Sequence, residues 1–111
     1  MTAERRFTVW SEPISRVDDA LRFVEATYEH GTRGFLLDGG LLPAEFFELR
    51  SRFAGEFVQK LVNYQLRVAA VFAPDATRSE RFREAIGELR RGSAFRTFDD
   101  RAAAEAWLSG G

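Results

Sequence analysis

Residues 33–38 (RGFLLD) and 66–72 (LRVAAVF) are the two stretches that decide the fold. Each is an apolar run too short for an ordinary helix, and each is closed by residues that break regular structure. Gly39 and Gly40 follow the first run, and Pro74 follows the second. Short uninterrupted apolar runs are typical of strands buried on both faces of a parallel sheet. We therefore predict two central strands here.

Working outward from these strands, the pattern alternates between strand and helix. Ser15 is predicted to cap the first helix, with Asp18 three residues later as an imperfect capping box, and Gly31 ends that helix. The predicted elements in chain order are a strand at 6–11, a helix at 15–30, a strand at 33–38, a helix at 43–63, a strand at 66–72, a helix at 78–91, a strand at 94–98 and a helix at 99–108.

This order predicts one α/β domain over residues 1–111. Strands that alternate with helices require crossover connections, which give a mostly parallel four-stranded sheet flanked by helices. The run at 94–98 alternates apolar and polar residues, as expected of an edge strand. A chain of 111 residues has the usual size of a single domain.

The composition excludes several function classes. There is no cysteine, so disulfides, thiolate catalysis and cysteine-ligated zinc are excluded, and His30 is the only histidine. The formal net charge of −1 argues against a nucleic-acid binder or a binder of anionic membranes. No run of apolar residues is long enough to span a membrane, and no phosphate-binding glycine motif is present. We predict a cytoplasmic protein without a cofactor.

The predicted helix at 43–63 carries a polar stripe. Four polar residues recur at helical spacing, and three further ones extend the stripe: Glu56, Gln59, Lys60 and Asn63, then Glu45, Glu48 and Arg52. The stripe is interpreted as a solvated face or polar dimer interface, as a ligand or partner site, or as a catalytic site with Glu56 and Lys60 as acid and base. Gly55 inside this helix favours an interface, since glycine permits close approach.

Asp38 is a second candidate, because it ends a central strand. Open α/β sheets bind ligands at the carboxyl ends of their strands. The neighbouring Gly39 and Gly40 are weaker indicators, because any tight turn between a strand and a helix would use them.

Several of these residues also carry a family resemblance. The motif residues are Phe46-Phe47, Ala54-Gly55-Glu56, Gln59-Lys60 and Asn63-Tyr64, followed by an apolar strand and by FDDRAAAEAWL at 98–108. In this pattern the chain resembles DUF4180, a bacterial family of small proteins, over most of its length. More broadly it resembles the STAS and SpoIIAA-like domains of anti-sigma-factor antagonists, where Asp38 matches the aspartate that ends a strand. Their phosphorylated serine is not carried over, because 41–44 reads LLPA.

These observations lead to two functional hypotheses. The first is a non-enzymatic regulatory or protein-interaction module with a STAS-like fold, forming a homodimer through the long helix. The second is a small-molecule-binding protein or minor enzyme, with a pocket near Asp38–Leu42 and the polar stripe. A binding protein should have a concave pocket with converging polar groups, whereas an interaction module should have a flat apolar patch.

Overall fold

The computed structural model describes residues 7–48, 51–72 and 92–110 and shows an α/β fold. Within these residues the chain forms four strands and three α-helices. The strands are β1 (Thr8–Trp10), β2 (Gly34–Asp38), β3 (Arg67–Val71) and β4 (Phe95–Phe98). The helices are α1 (Ala20–His30), α2 (Phe53–Asn63) and α3 (Arg101–Gly110). The predicted helix at 78–91 lies outside the described residues.

The four strands form one sheet in the order β1-β2-β3-β4, and every neighbouring pair is parallel. The predicted parallel sheet is therefore confirmed. Right-handed connections between strands that advance in one direction keep the connecting helices on one face, and α1 and α2 do pack on the same face. The three central residues of β2 are all buried, as expected for a strand covered on both sides: Phe35, Leu36 and Leu37.

The face covered by α1 and α2 holds most of the core, and we call it the phenylalanine face. Its rings come from the helices, the sheet and the connection between β2 and α2: Phe23, Phe35, Phe46, Phe53, Phe57 and Phe95. Phe57 is fully buried, and its ring centroid lies 6.1–6.5 Å from those of four other phenylalanines. The excess of phenylalanine in the sequence is thus used largely in packing within the chain.

The opposite face, which we call the α3 face, is covered less completely. Helix α3 packs against β2, β3 and β4, and its small buried cluster consists of Leu36, Ala69, Ala104 and Leu108. Val9 of β1 points to this face, since it is the register partner of Leu36, and its side chain is 51% exposed. The β1 side of the sheet therefore stays open beside α3.

The predicted long helix at 43–63 is wrong over its first half. Residues Ala44–Phe47 form a 3-10 helix, and α2 begins only at Phe53, after Arg52 in the left-handed region with φ 59°. The Ser51 hydroxyl stabilises the break, because it lies 2.5 Å and 2.7 Å from two backbone carbonyl oxygens and accepts from the Phe53 N–H at 3.1 Å. The break lets Phe46 turn into the core, where 2% of it is exposed.

The start of α1 also differs from the prediction. A 3-10 turn at Val17–Asp19 precedes the helix, and the residue that organises it is Asp19 rather than Ser15 or Asp18. The Asp19 carboxylate accepts from the Ser15 N–H at 2.8 Å and the Arg16 N–H at 3.0 Å. Partial burial acts to raise the pKa of Asp19, but these hydrogen bonds and the nearby Arg22 charge outweigh it, so the pKa lies below the ordinary 3.8. The other end of α1 is as predicted, with Gly31 left-handed at φ 72°.

Candidate functional site

A concavity of about 590 Å³ opens where β1 and β2 end, between the sheet and the start of α3. We call it the carboxyl-edge concavity. Val9, Leu36, Leu41 and Val71 give it apolar walls, and Asp38 and Arg101 are its two charged residues. It exists because α3 leaves β1 uncovered, so that the sheet itself forms one wall. It shares the carboxyl edge of the strands with the ligand sites of open α/β sheets, although the order β1-β2-β3-β4 has no reversal that would open a crevice there.

Asp38 is held in place by the turn that follows β2. Its Oδ1 accepts a hydrogen bond from the Gly40 N–H at 2.7 Å, and its carboxylate is otherwise exposed. Gly39 is required by packing, since a Cβ there would lie 2.1 Å from the ring of Phe72. A tight turn after β2 is therefore enough to explain Gly39 and Gly40, and the glycines themselves do not indicate a ligand. The turn fixes the carboxylate at the edge of the concavity.

Arg101 is the first residue of α3 and contributes the positive charge. Its Nε donates to Glu105 Oε2 at 2.6 Å, which leaves the terminal N–H groups without a hydrogen bond among the described residues. Asp100 caps the same helix by accepting from the Ala103 N–H at 2.8 Å. The concavity thus has a carboxylate and a guanidinium, each oriented by one neighbour and each with hydrogen-bonding capacity left.

The loops around the concavity are tied together, which makes its shape preformed. The Ile14 N–H donates to the Leu41 carbonyl at 2.8 Å, joining the loop after β1 to the loop after β2. Trp10, which also lines the concavity, packs with its ring centroid 4.5 Å from that of Phe23. Its indole N–H is buried and has no hydrogen-bond partner within the described residues.

The structure brings the four main residues of the polar stripe together on α2, away from the carboxyl-edge concavity. Gln59 Nε2 donates to Asn63 Oδ1 at 3.0 Å, and Lys60 Nζ lies 3.4 Å from Asp18 Oδ1. Glu56 is exposed beside them. Asp38 does not join them, because it lines the α3 side of the sheet. Whether the stripe is a binding or interface site stays a prediction.

The predicted extension of the stripe is not continuous with it. Glu45, Glu48 and Arg52 lie before the start of α2, on the far side of the break at Ser51. Gly55 has open space where its Cβ would be, so no part of the described chain approaches it closely. Asn63, at the other end, lines a separate cleft of about 230 Å³ with Tyr28 and Tyr64.

The described residues do not show two features, a metal-binding cluster and a membrane-spanning helix. No three His, Asp or Glu side chains of 7–48, 51–72 and 92–110 come together as a metal ion would need. His30 is exposed at the end of α1, with its Nε2 3.8 Å from Glu29 Oε2. None of the helices in this part of the chain is long and apolar enough to cross a membrane.

Sequence reasoning missed most of the concavity. Val9, Val71 and Arg101 come from three distant parts of the chain, and only the sheet brings them together. One signal was available: Arg101 comes three residues after the end of the edge strand, so it had to lie near the same carboxyl edge as Asp38.

The comparisons with known proteins give a family and no further relatives. No curated protein and no solved structure matches the chain, so the predicted STAS-like and SpoIIAA-like similarity stays a prediction. One family model matches residues 6–108, which is nearly the whole chain and includes every element described above except the last two residues of α3. It confirms the resemblance drawn from the motif residues: the chain belongs to the family described as Domain of unknown function (DUF4180).

Proposed function

We propose that this chain is a non-enzymatic binding domain that takes a small organic molecule in the carboxyl-edge concavity. The observation that carries the proposal is the concavity itself: about 590 Å³, with apolar walls and two charged residues, at the carboxyl ends of parallel strands. Ligand sites of proteins usually have volumes of roughly 300–1,000 Å³ and combine apolar walls with a few polar groups.

The lining indicates an amphipathic ligand. Val9, Leu41 and Val71 provide contact for an apolar body. Asp38 can accept hydrogen bonds from a cationic or neutral donor, and Arg101 can donate to a carboxylate or phosphate oxygen. A molecule with an apolar body and polar groups of both kinds would use every part of the lining.

A purely binding role fits these side chains better than catalysis. A guanidinium stays protonated in proteins, so Arg101 can bind an anion but cannot move a proton. Proton transfer would then fall to Asp38, whose Oδ1 already holds the Gly40 N–H. A matched acid and base, as general acid–base catalysis needs, is absent from the described lining.

The cytoplasmic location expected from the sequence is part of the proposal, and the lack of cysteine agrees with it.

The test is an NMR fragment screen of the ¹⁵N-labelled protein against amphipathic small molecules. A ligand of the site should shift the amide signals of Val9, Leu41 and Val71. Asp38→Asn keeps the oxygen that accepts from Gly40 while removing the charge, and Arg101→Gln removes the other charge. Each should weaken binding of a charged hit, whereas Glu56→Gln on α2 should leave it unchanged. Hits that bind only elsewhere, or none from a broad screen, would contradict the proposal.

A second candidate function is protein–protein interaction through a surface formed by α1 and α2. Exposed apolar and aromatic side chains favour it: Leu21 (39%), Tyr28 (87%), Val62 (50%) and Tyr64 (43%). Tyrosine is enriched in protein interfaces, and the homodimer expected from the sequence could use this surface. Light scattering at tens of micromolar tests it, with Tyr28→Ser and Val62→Ser expected to dissociate the dimer. A wild-type protein of monomer mass would contradict it.

A further inference from the structure

Two arginines of the α3 face converge on one tryptophan. Arg67 begins β3 and Arg96 lies in β4, and both contact Trp107 of α3. The guanidinium carbon of Arg67 lies 4.1 Å from the centroid of the indole ring, and that of Arg96 lies 5.1 Å from it. We call these three residues the arginine–tryptophan cluster. It lies near the carboxyl end of α3, whereas the carboxyl-edge concavity lies near its start.

The positive charges of this cluster have no carboxylate partner among residues 7–48, 51–72 and 92–110. Both arginines are half-buried, and neither forms an ion pair with any acidic residue of the described chain. Glu105, the nearest acidic residue of α3 in sequence, pairs with Arg101 instead. Partly desolvated charges of the same sign are unfavourable side by side. Contact with the face of an indole ring compensates only part of this.

The backbone fixes both guanidinium groups without using up their donors. Arg67 Nη2 donates to the Trp107 carbonyl at 3.0 Å, and Arg96 Nε donates to the Gly92 carbonyl at 2.9 Å. A guanidinium carries five N–H donors, so each arginine keeps several that bind nothing in the described chain. Oriented guanidinium groups with free donors are the usual means by which proteins recognise carboxylate and phosphate.

We propose that the arginine–tryptophan cluster is an anion-binding site for an oxyanion, a phosphate or a carboxylate group held by Arg67 and Arg96 together. The bound anion supplies the negative charge that the described residues around the cluster do not provide. The site is independent of the carboxyl-edge concavity, so neither proposal depends on the other.

The test is an NMR titration of the ¹⁵N-labelled wild-type protein with inorganic phosphate, and separately with acetate, at constant ionic strength against sodium chloride. The chain has two tryptophans, Trp10 and Trp107, whose indole N–H signals report on two different places. Phosphate or acetate should shift the Trp107 signal along a saturable curve, whereas the Trp10 signal reports separately on the carboxyl-edge concavity that Trp10 lines. The tighter of the two anions identifies the group that the site prefers. A linear shift equal to that with chloride overturns the proposal.

Three variants locate the binding. Arg96→Gln should weaken it at least about tenfold, the loss of one charge-assisted hydrogen bond. Arg96→Lys keeps the charge but not the planar fork, so its loss should be smaller. Arg22→Gln is the matched control, because Arg22 also lies over an indole ring, 5.7 Å from the Trp10 centroid, but is paired with Glu12. It should bind the anion like the wild type. Unchanged affinity in Arg96→Gln would overturn the assignment, and a weaker affinity in Arg22→Gln would do the same.

Discussion

The two faces of the sheet are built in different ways. On the phenylalanine face, α1 and α2 cover a continuous cluster of rings, and the central Phe57 is fully buried. On the α3 face, one helix of the described chain packs Ala104 and Leu108 against Leu36 and Ala69 of the sheet. Half-buried Trp107, Arg67 and Arg96 lie at the margin of this cluster. Both proposed binding sites lie on or beside the α3 face, at the two ends of one helix.

The difference separates stability from recognition. Apolar burial is the main favourable term in folding, and the phenylalanine face provides most of it. A face covered by only one helix has room for open sheet surface and for charges that are not paired. The comparison therefore predicts that substitutions on the phenylalanine face change mainly stability, and that those on the α3 face change mainly binding.

The largest effect should come from Phe57→Ala. Removing a fully buried ring leaves a cavity among four other phenylalanines and should lower the free energy of unfolding by about 3–5 kcal/mol. Leu108→Ala is the matched change on the α3 face and should cost less, about 2 kcal/mol. Urea denaturation of both variants measures the difference. Equal losses would mean that the two faces contribute alike.

The second-largest effect should come from Gly39→Ala, which should lower the free energy of unfolding by about 1–3 kcal/mol because it overpacks the turn. The added Cβ would meet the ring of Phe72 at 2.1 Å, so the turn before the concavity has to shift. Gly55→Ala is the control, since nothing lies within 4 Å of its added Cβ. It should stabilise α2 by about 0.5–1 kcal/mol, because alanine favours a helix more than glycine. Two changes of the same sign in urea denaturation would contradict this explanation.

A moderate effect is expected for Trp107→Leu on the α3 face. It removes the indole contacts of Arg67 and Arg96, which should lower the free energy of unfolding by about 1–2 kcal/mol. In the same variant, added phosphate or acetate should still shift the side-chain NMR signals of Arg67 and Arg96, but less than in the wild type. Part of the shift should remain because both guanidinium groups are still present. Thermal unfolding and NMR on one sample measure both effects. If Trp107→Leu lowered the free energy of unfolding as much as Phe57→Ala does, Trp107 would have to be regarded as part of the hydrophobic core.

The smallest effect should be the pH dependence that Asp19 gives to the start of α1. Its pKa is lowered in the folded state, so its contribution to stability is fully present above the ordinary value of about 4 and is lost as the pH falls through the folded pKa. Asp19→Asn should therefore unfold at a lower temperature than the wild type at pH 7. The gap should close as the pH falls through the lowered pKa of Asp19. Glu25→Gln, exposed on the same helix, should show no such convergence.

The strands were predictable because their patterns are local. The apolar runs at 33–38 and 66–72 became β2 and β3, and the alternating run at 94–98 became β4, each shortened by one or two residues. Helices α1 and α3 were also found from their periodicity. These elements follow from which faces of each segment are apolar, and that information is contained in the segment itself.

The break before α2 was not predictable in the same way. Residues 43–63 are periodic and contain no proline or glycine at the point where the helix stops. The break rests on the Ser51 hydroxyl, which can donate its one hydrogen to either of two nearby carbonyl oxygens, and on Arg52 in a backbone region that most residues avoid. It is sustained by the burial of Phe46 on Phe53 and Phe95, which only the folded structure provides.

The candidate site was predictable only where one residue defines it. Asp38 could be placed at the carboxyl edge from the end of its strand. Val9 and Val71 could not, because only the order of the strands brings them beside it. Arg101 could have been placed at the same edge from its position shortly after β4. Trp107 packs against Phe98 and the small cluster of the α3 face. Its contact with two arginines that form no ion pair within the described chain depends on the register of β3 against β4.

The sheet order also has a consequence for how the chain folds. Each strand pairs with the strand that comes next in the sequence, so no pairing has to wait for a distant segment. Loop-closure entropy grows with the length of chain enclosed, and proteins whose contacts are near in sequence fold faster. The contact order of this domain is therefore low for a parallel sheet. During synthesis, β1 and β2 can pair before β3 has been made.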